Sequence, residues 1–106
     1  MKGAAAEDLA AAFLRQRGLE ITTRNYRCRH GEIDIVARDG NVLVFVEVRQ
    51  RGSDTFGGAA ASITARKRAR LVRAAQHYLA GGDRSRPCRF DAVLIHGEPA
   101  HIEWIQ

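Results

Sequence analysis

Residues 31–49, which read GEIDIVARDGNVLVFVEVR, decide the fold of this chain. Residues 33–38 and 42–49 are predicted to be strands because apolar and β-branched side chains dominate both segments. Asp39-Gly40-Asn41 between them is a strong hairpin signal. If Gly40 and Asn41 are the two central turn residues, Asp34 lies opposite Glu47. The same register puts Glu32 opposite Arg49.

Asp34 and Glu47 are expected on the same face of the hairpin even if the turn lies one residue earlier. A turn centred on Asp39-Gly40 would place Asp34 and Glu47 diagonally, still on one face, because side chains alternate along a strand. Facing like charges destabilise a sheet, and burying an unpaired charge is costly. A hard cation such as Mg²⁺ or Mn²⁺ removes the penalty and prefers oxygen ligands. The alternative is an ordinary ion pair of Asp34 with Arg49 or with a more distant arginine.

The composition predicts one basic domain spanning residues 1–106, large enough for a real core. The net charge of +5 comes from 17 Lys and Arg against 12 Asp and Glu. This balance favours a polyanionic partner, with general solubility as the alternative. The aromatic fraction of 7% argues against a platform on which bases stack.

Nothing in the sequence indicates a membrane or secreted protein. The first residues lack the apolar core of a signal peptide, and no apolar run approaches the roughly 20 residues of a membrane span. Cys28 and Cys88 fit neither a zinc spacing nor a disulfide framework, so we expect free thiols and a cytoplasmic location. The four histidines are scattered and suggest no transition-metal cage.

The remaining elements follow from periodicity and from turn residues. A helix is predicted over residues 4–17 with Gly18 as its C-cap, and its apolar face comprises Ala6, Leu9, Ala10, Phe13 and Leu14. The predicted order continues with a strand at 19–29, the hairpin, a Gly-rich loop at 50–61, a helix from the N-cap Ser62 to Ala80, and strands at 89–96 and 101–105. The entirely apolar run 42–46 indicates a central strand. We therefore predict an α/β fold with a mixed central sheet and helices on both faces.

The second predicted helix carries a basic stripe. Arg66, Arg70, Arg73 and His77 share one face, with Lys67 and Arg68 beside them, while Thr64, Leu71, Ala75, Tyr78 and Leu79 are expected to face the core. No acidic residue occurs between Thr55 and Gly82. Such a surface is typical of proteins that contact phosphates. A solvated helix face and a docking surface for an acidic protein are the alternatives.

The ordered set of motifs resembles the PD-(D/E)xK nuclease superfamily, whose core is α-β-β-β-α-β, and more closely the YraN-like family of small uncharacterised bacterial proteins. The resemblance covers the whole chain. The motifs that carry it are Glu7, Arg24-Asn25-Tyr26-Arg27, Gly31-Glu32-Ile33-Asp34, Phe45-Val46-Glu47-Val48-Arg49 and Pro87-Cys88-Arg89-Phe90-Asp91.

The resemblance implies a metal-dependent nuclease that acts on nucleic acid, DNA more than RNA, with branched DNA as one substrate. Asp34, Glu47 and the Val48 carbonyl would bind Mg²⁺ or Mn²⁺, and Glu32 would orient Arg49 or add an outer contact through water. The family is also similar to the archaeal Holliday-junction resolvases, which carry an acidic residue on their first helix. Glu7 matches that position. Its alternative role is a first-turn glutamate that favours the helix dipole. Cutting both strands of a branch would favour a homodimer.

The sequence departs at two positions from the superfamily pattern and lacks one motif of some related nucleases. Arg49 replaces its lysine, and an arginine that stays protonated cannot act as a general base. It can still stabilise charge on the phosphate. Ile33 stands where the superfamily often has proline, and the Gln-x-x-x-Tyr motif of some related nucleases is not met after Gln76. A non-catalytic nucleic-acid-binding module on a nuclease fold is therefore the main rival prediction.

Overall fold

The computed structural model describes residues 4–51, 65–82, 86–97 and 99–106. Its helices and strands are α1 (Ala4–Gln16), β1 (Glu20–Cys28), β2 (Gly31–Asp39), β3 (Val42–Arg51), α2 (Ala65–Ala80), β4 (Cys88–His96) and β5 (His101–Ile105). This order confirms the predicted α-β-β-β-α-β core with one appended strand. Gln50 and Arg51 belong to β3, so the prediction that the loop begins at Gln50 was wrong. The remainder of that loop, the Ser62 cap and Thr64 lie outside the described residues.

Helix α1 ends in a Schellman motif at the predicted glycine. The Leu19 N–H donates to the Leu14 carbonyl at 3.1 Å, and the Gly18 N–H donates to the Arg15 carbonyl at 3.0 Å. Gly18 has a φ of +93°, which a residue without a Cβ adopts at little cost. The motif turns the chain directly into β1.

The five strands form one mixed sheet in the order β1-β2-β3-β4-β5. Strand β4 runs parallel to β3, and the other neighbouring pairs are antiparallel. The hairpin uses the register predicted for a Gly40-Asn41 turn, because Asp39 pairs with Val42 and Ile35 with Val46. Gly40 has a φ of +63°, as the first central residue of a type II′ turn requires.

Strand β3 is covered on both faces, as the apolar run predicts. Val44 and Val46 belong to the core cluster that contains α1, while Leu43 and Phe45 belong to the cluster that contains α2. The predicted apolar face of α1 was wrong at one residue, since Leu9 is 36% exposed. Ala11 is buried in its place because the helix presents a slightly rotated face to the sheet.

A polar network around the buried Asp91 ties β4 to its neighbours. Asp91 accepts hydrogen bonds from Arg89 Nε at 3.0 Å and from Trp104 Nε1 at 2.9 Å. Arg89 also donates to Asp39 at 3.0 Å. Strand β4 is thereby tied both to β5 and to the hairpin, which gives the motif around Asp91 a structural role.

Cys28 and Cys88 are free thiols. Within the described ranges, none of the helices is both long and apolar enough to cross a membrane.

Candidate metal and nucleic-acid site

A cleft of about 630 Å³ opens where β2 begins and β3 ends, between the N-terminal parts of α1 and α2. It brings together most of the predicted site. The predicted residues that line it are Glu7 from α1, Glu32 and Asp34 from β2, Glu47, Val48 and Arg49 from β3, and Lys67 and Arg70 from α2. The cleft is therefore the place where the carboxylates and the basic helix meet.

Asp34 lies where the hairpin strands stop pairing through their backbones. The recorded pairs of β2 and β3 run from Asp39–Val42 to Ile35–Val46, and the next position in this register would be Asp34 opposite Glu47. There, the Val48 N–H donates to Asp34 Oδ2 at 2.8 Å. The Asp34 carboxylate thus takes the place of a backbone acceptor, and this hydrogen bond holds the side chain against β3. It also satisfies a polar residue that is only 9% exposed.

Glu47 shows the electrostatic cost of the facing carboxyls. Burial, the charge of Asp34 and a hydrogen bond between the two carboxyl groups raise the pKa of Glu47 from 4.5 to about 8. The charges of Arg49 and Lys67 offset part of this rise. With a pKa of about 8, Glu47 keeps its proton at neutral pH, and a bound cation would displace that proton.

Arg49 and Glu32, the two charged residues beside the carboxyl pair, have different partners. Arg49 Nη2 lies 3.3 Å from Glu47 Oε1, so the arginine is directed at the carboxyl pair. Glu32, which we expected to orient Arg49, accepts a hydrogen bond from Arg27 Nε at 2.9 Å. The open alternative of an ion pair between Asp34 and Arg49 gives way to the pair with Glu47.

Glu7 is a third carboxyl in the cleft. It lies in the first turn of α1, and its side chain is 14% exposed. Burial and the nearby charge of Asp34 raise its pKa. Arg24 Nη2 lies 3.8 Å from Glu7 Oε1 and makes the shorter contact, 2.7 Å, with Asp8. Glu7 Oε1 is shielded from solvent and has no hydrogen-bond partner in the part of the chain that the structure describes.

The donor set suits a hard divalent cation better than zinc. The described part of the chain holds no ready-made group of three His, Cys, Asp or Glu side chains at metal-binding distance. Mg²⁺ and Mn²⁺ need fewer protein ligands, because water and phosphate oxygens complete their coordination. Asp34 and Glu47 supply two such ligands, and a bound cation would neutralise the charge that these two facing carboxylates bring together.

The basic stripe runs along the exposed side of α2. Arg66, Arg70, Arg73 and His77 are exposed, while Lys67 is half-buried near Glu47. Helix α2 packs closely on the start of β2, because a Cβ built on Gly31 would lie 3.4 Å from Arg70 Cβ. The predicted core face is confirmed by buried Leu71 and Ala75, and Ala74 joins them.

Sequence reasoning missed two functional candidates from the β1–β2 region. Arg27 lines the cleft, and the ring centroid of His30 lies 6.0 Å from that of His77. His30 lies in the two-residue connection between β1 and β2, and Arg27 lies near the end of β1 that precedes it. The signal that could have found them was this short connection, which brings the strand ends under α2.

Comparison with known proteins agrees with the resemblance drawn from the motifs. The model of Uncharacterised protein family UPF0102 matches residues 6–95. A UPF0102 protein of Nitrosomonas europaea is 60% identical over 106 residues, covering 99% of this chain and 90% of the relative. A UPF0102 protein of Cupriavidus taiwanensis is 60% identical over 107 residues, covering 99% and 79%. A UPF0102 protein of Dechloromonas aromatica is 58% identical over 105 residues, covering 99% and 85%. The chain therefore belongs to the UPF0102 family, the YraN-like proteins predicted from its motifs.

Proposed function

We propose that this protein is a Mg²⁺- or Mn²⁺-dependent nuclease that cleaves phosphodiester bonds in DNA. One observation carries the proposal: the facing carboxyls of Asp34 and Glu47 lie in a cleft whose wall includes a basic helix, and the burial of Glu47 beside Asp34 raises the pKa of Glu47 to about 8. A carboxylate pair of this kind binds a hard cation, and the surrounding cations bind phosphate. DNA supplies phosphates in a continuous row.

Asp34 and Glu47 would hold the metal ion, with the Val48 carbonyl as a backbone ligand. The bound ion would supply charge neutralisation at the phosphate and a more acidic water. Asp34 is already fixed by the Val48 N–H, so little reorganisation is needed on its side of the site. Glu47 would give up its proton before it binds the cation.

Arg49 would hold the phosphate rather than take a proton. Its guanidinium stays charged and can donate two parallel hydrogen bonds to phosphate oxygens. Its contact with Glu47 at 3.3 Å aims it at the carboxyl pair, where charge develops during cleavage. Glu7, the third carboxyl that lines the cleft, would accept a hydrogen bond from the attacking water.

Cleavage can be tested with purified protein on linear and branched DNA in Mn²⁺. We expect cleavage by the wild type and its loss in both Asp34→Ala and Glu47→Ala. Glu103→Ala, which changes an exposed carboxylate on β5, is the matched control and should cleave normally. Equal cleavage by the wild type and both carboxylate variants would assign the activity to a contaminant and refute the proposal.

The second candidate function is that of a non-catalytic DNA-binding module. The presence of Arg49 in place of the superfamily's lysine favours it. A lysine would present a compact point charge, whereas Arg49 is occupied by Glu47. The variant Arg49→Lys separates the two functions. If neither protein cleaves any substrate and both bind DNA with steep salt dependence, the module is the better assignment.

A further inference from the structure

Aromatic rings gather where the basic stripe ends. Tyr26 Oη and His77 Nδ1 share a hydrogen bond of 2.5 Å. The ring centroid of His77 lies 6.1 Å from that of Tyr26 and 6.0 Å from that of His30. His77 is exposed, and the other two are half-buried. Two histidines and one tyrosine thus form a ring cluster that the low aromatic content did not predict.

The basic stripe connects this ring cluster to the cleft. Arg70 lines the cleft, and His77 lies seven residues further along α2. At a rise of about 1.5 Å per residue, the two are separated by roughly 10 Å along the helix. Arg73 lies between them and is exposed. A chain of phosphates leaving the cleft along α2 would therefore pass Arg73 and reach the rings.

A ring cluster of this kind would bind an unpaired strand more readily than a duplex. In a duplex the faces of the bases are stacked on one another, whereas in an unpaired strand they are free to stack on side-chain rings. The carboxylates are also recessed, with Asp34 9% exposed and the Glu47 side chain 14% exposed. A flexible strand can carry its phosphate into such a recess more readily than a stiff helix.

We propose that the substrate is an unpaired DNA strand, which leaves the cleft along Arg70 and Arg73 and stacks a base on the ring cluster of Tyr26, His30 and His77. The inference rests on the proposed nuclease function and names its substrate class. The basic residues hold phosphates and the rings hold a base face, so the strand is bound without a preferred sequence.

Binding is measured by fluorescence anisotropy in EDTA, where metal-dependent cleavage cannot occur. The probes are a labelled 20-nucleotide strand and the same strand in a duplex. We expect the unpaired strand to bind at least about ten-fold more tightly. His77→Ala should weaken its binding by about ten-fold and leave duplex binding within about two-fold. Arg73→Ala should lower the salt slope by about 0.7.

Two matched controls use residues away from this path. His101→Ala changes a histidine on β5, at the opposite edge of the sheet, and Arg15→Ala changes an exposed arginine of α1, on the opposite face. Neither should alter binding. Stacking is read directly from 2-aminopurine placed at successive positions of the strand. One position should be quenched by the wild type and recover its fluorescence with His77→Ala.

Duplex binding as tight as that of the unpaired strand would overturn the inference, as would an equal loss of both on His77→Ala. The result is independent of catalysis. Selective, His77-dependent binding without any cleavage leaves the binding path for an unpaired strand standing and refutes only the nuclease. Cleavage without any preference for an unpaired strand refutes this inference and leaves the nuclease function standing.

Discussion

Replacing Glu47 with glutamine should change how the stability of the metal-free protein depends on pH. The pKa of Glu47 is raised to about 8, so the folded protein keeps a proton that the unfolded chain releases above its ordinary pKa of 4.5. The stabilising contribution of this proton is fully present below about pH 4.5 and is lost as pH rises through about 8. Glutamine cannot ionise, so the variant should not lose this contribution.

The magnitude follows from the pKa. A change of one in pKa corresponds to about 1.4 kcal/mol, so a rise from 4.5 to about 8 corresponds to about 5 kcal/mol for a fully shielded carboxyl. Water at the exposed edge of Glu47 screens part of this. We therefore expect Glu47→Gln to be about 2–3 kcal/mol more stable than the wild type at about pH 8.5 and equal to it at about pH 5.

Urea unfolding in EDTA, followed by the fluorescence of Trp104, measures the free energy of unfolding at each pH. Trp104 is the single tryptophan and contacts Phe13 of α1, so its signal reports loss of the core. Glu103→Gln is the control and should follow the wild type. A stability difference between wild type and Glu47→Gln that stays constant from about pH 5 to about pH 8.5 would refute the raised pKa of Glu47.

Three further predictions follow from the same contacts. Mn²⁺ titration by calorimetry should show at least about ten-fold weaker binding for Asp34→Ala than for Glu103→Ala, because only the former removes a facing carboxylate. Gly31→Ala should cost about 1–3 kcal/mol in urea unfolding, since Gly31 has a φ of +151° and the new Cβ would lie 3.4 Å from Arg70 Cβ; Gly82→Ala, with open space around it, is the control. Asp91→Ala should lower the free energy of unfolding by about 2–3 kcal/mol because Arg89 and Trp104 lose their buried acceptor, and an unchanged unfolding midpoint would contradict this role.

Much of the fold was predictable because local rules and global packing agree. The Gly40-Asn41 turn defines the hairpin register, and the apolar run in β3 requires cover on both faces. The errors arose where packing decides between neighbouring residues. Leu9 and Ala11 of α1 differ by half a turn, and periodicity could not show which of them the sheet would bury.

The candidate site was predictable only in part. Asp34 and Glu47 were placed together by strand alternation, which requires no knowledge of distant contacts. The partner of Glu32 was not, because Arg27 belongs to another strand and reaches Glu32 through the pairing of β1 with β2. The metal ion, the DNA substrate and the roles of Arg49 and the basic stripe stay predictions.

The sequence by itself determined the hairpin, the facing carboxyls and the basic stripe, since each depends on residue spacing within one or two neighbouring elements. Only the tertiary structure decided that Glu7 shares the cleft, that Asp34 binds the Val48 N–H, and that His77 meets Tyr26 and His30. These contacts depend on where two helices settle on the sheet. That choice is made by the close approach at Gly31 and by side-chain volumes in the core, which periodicity does not encode.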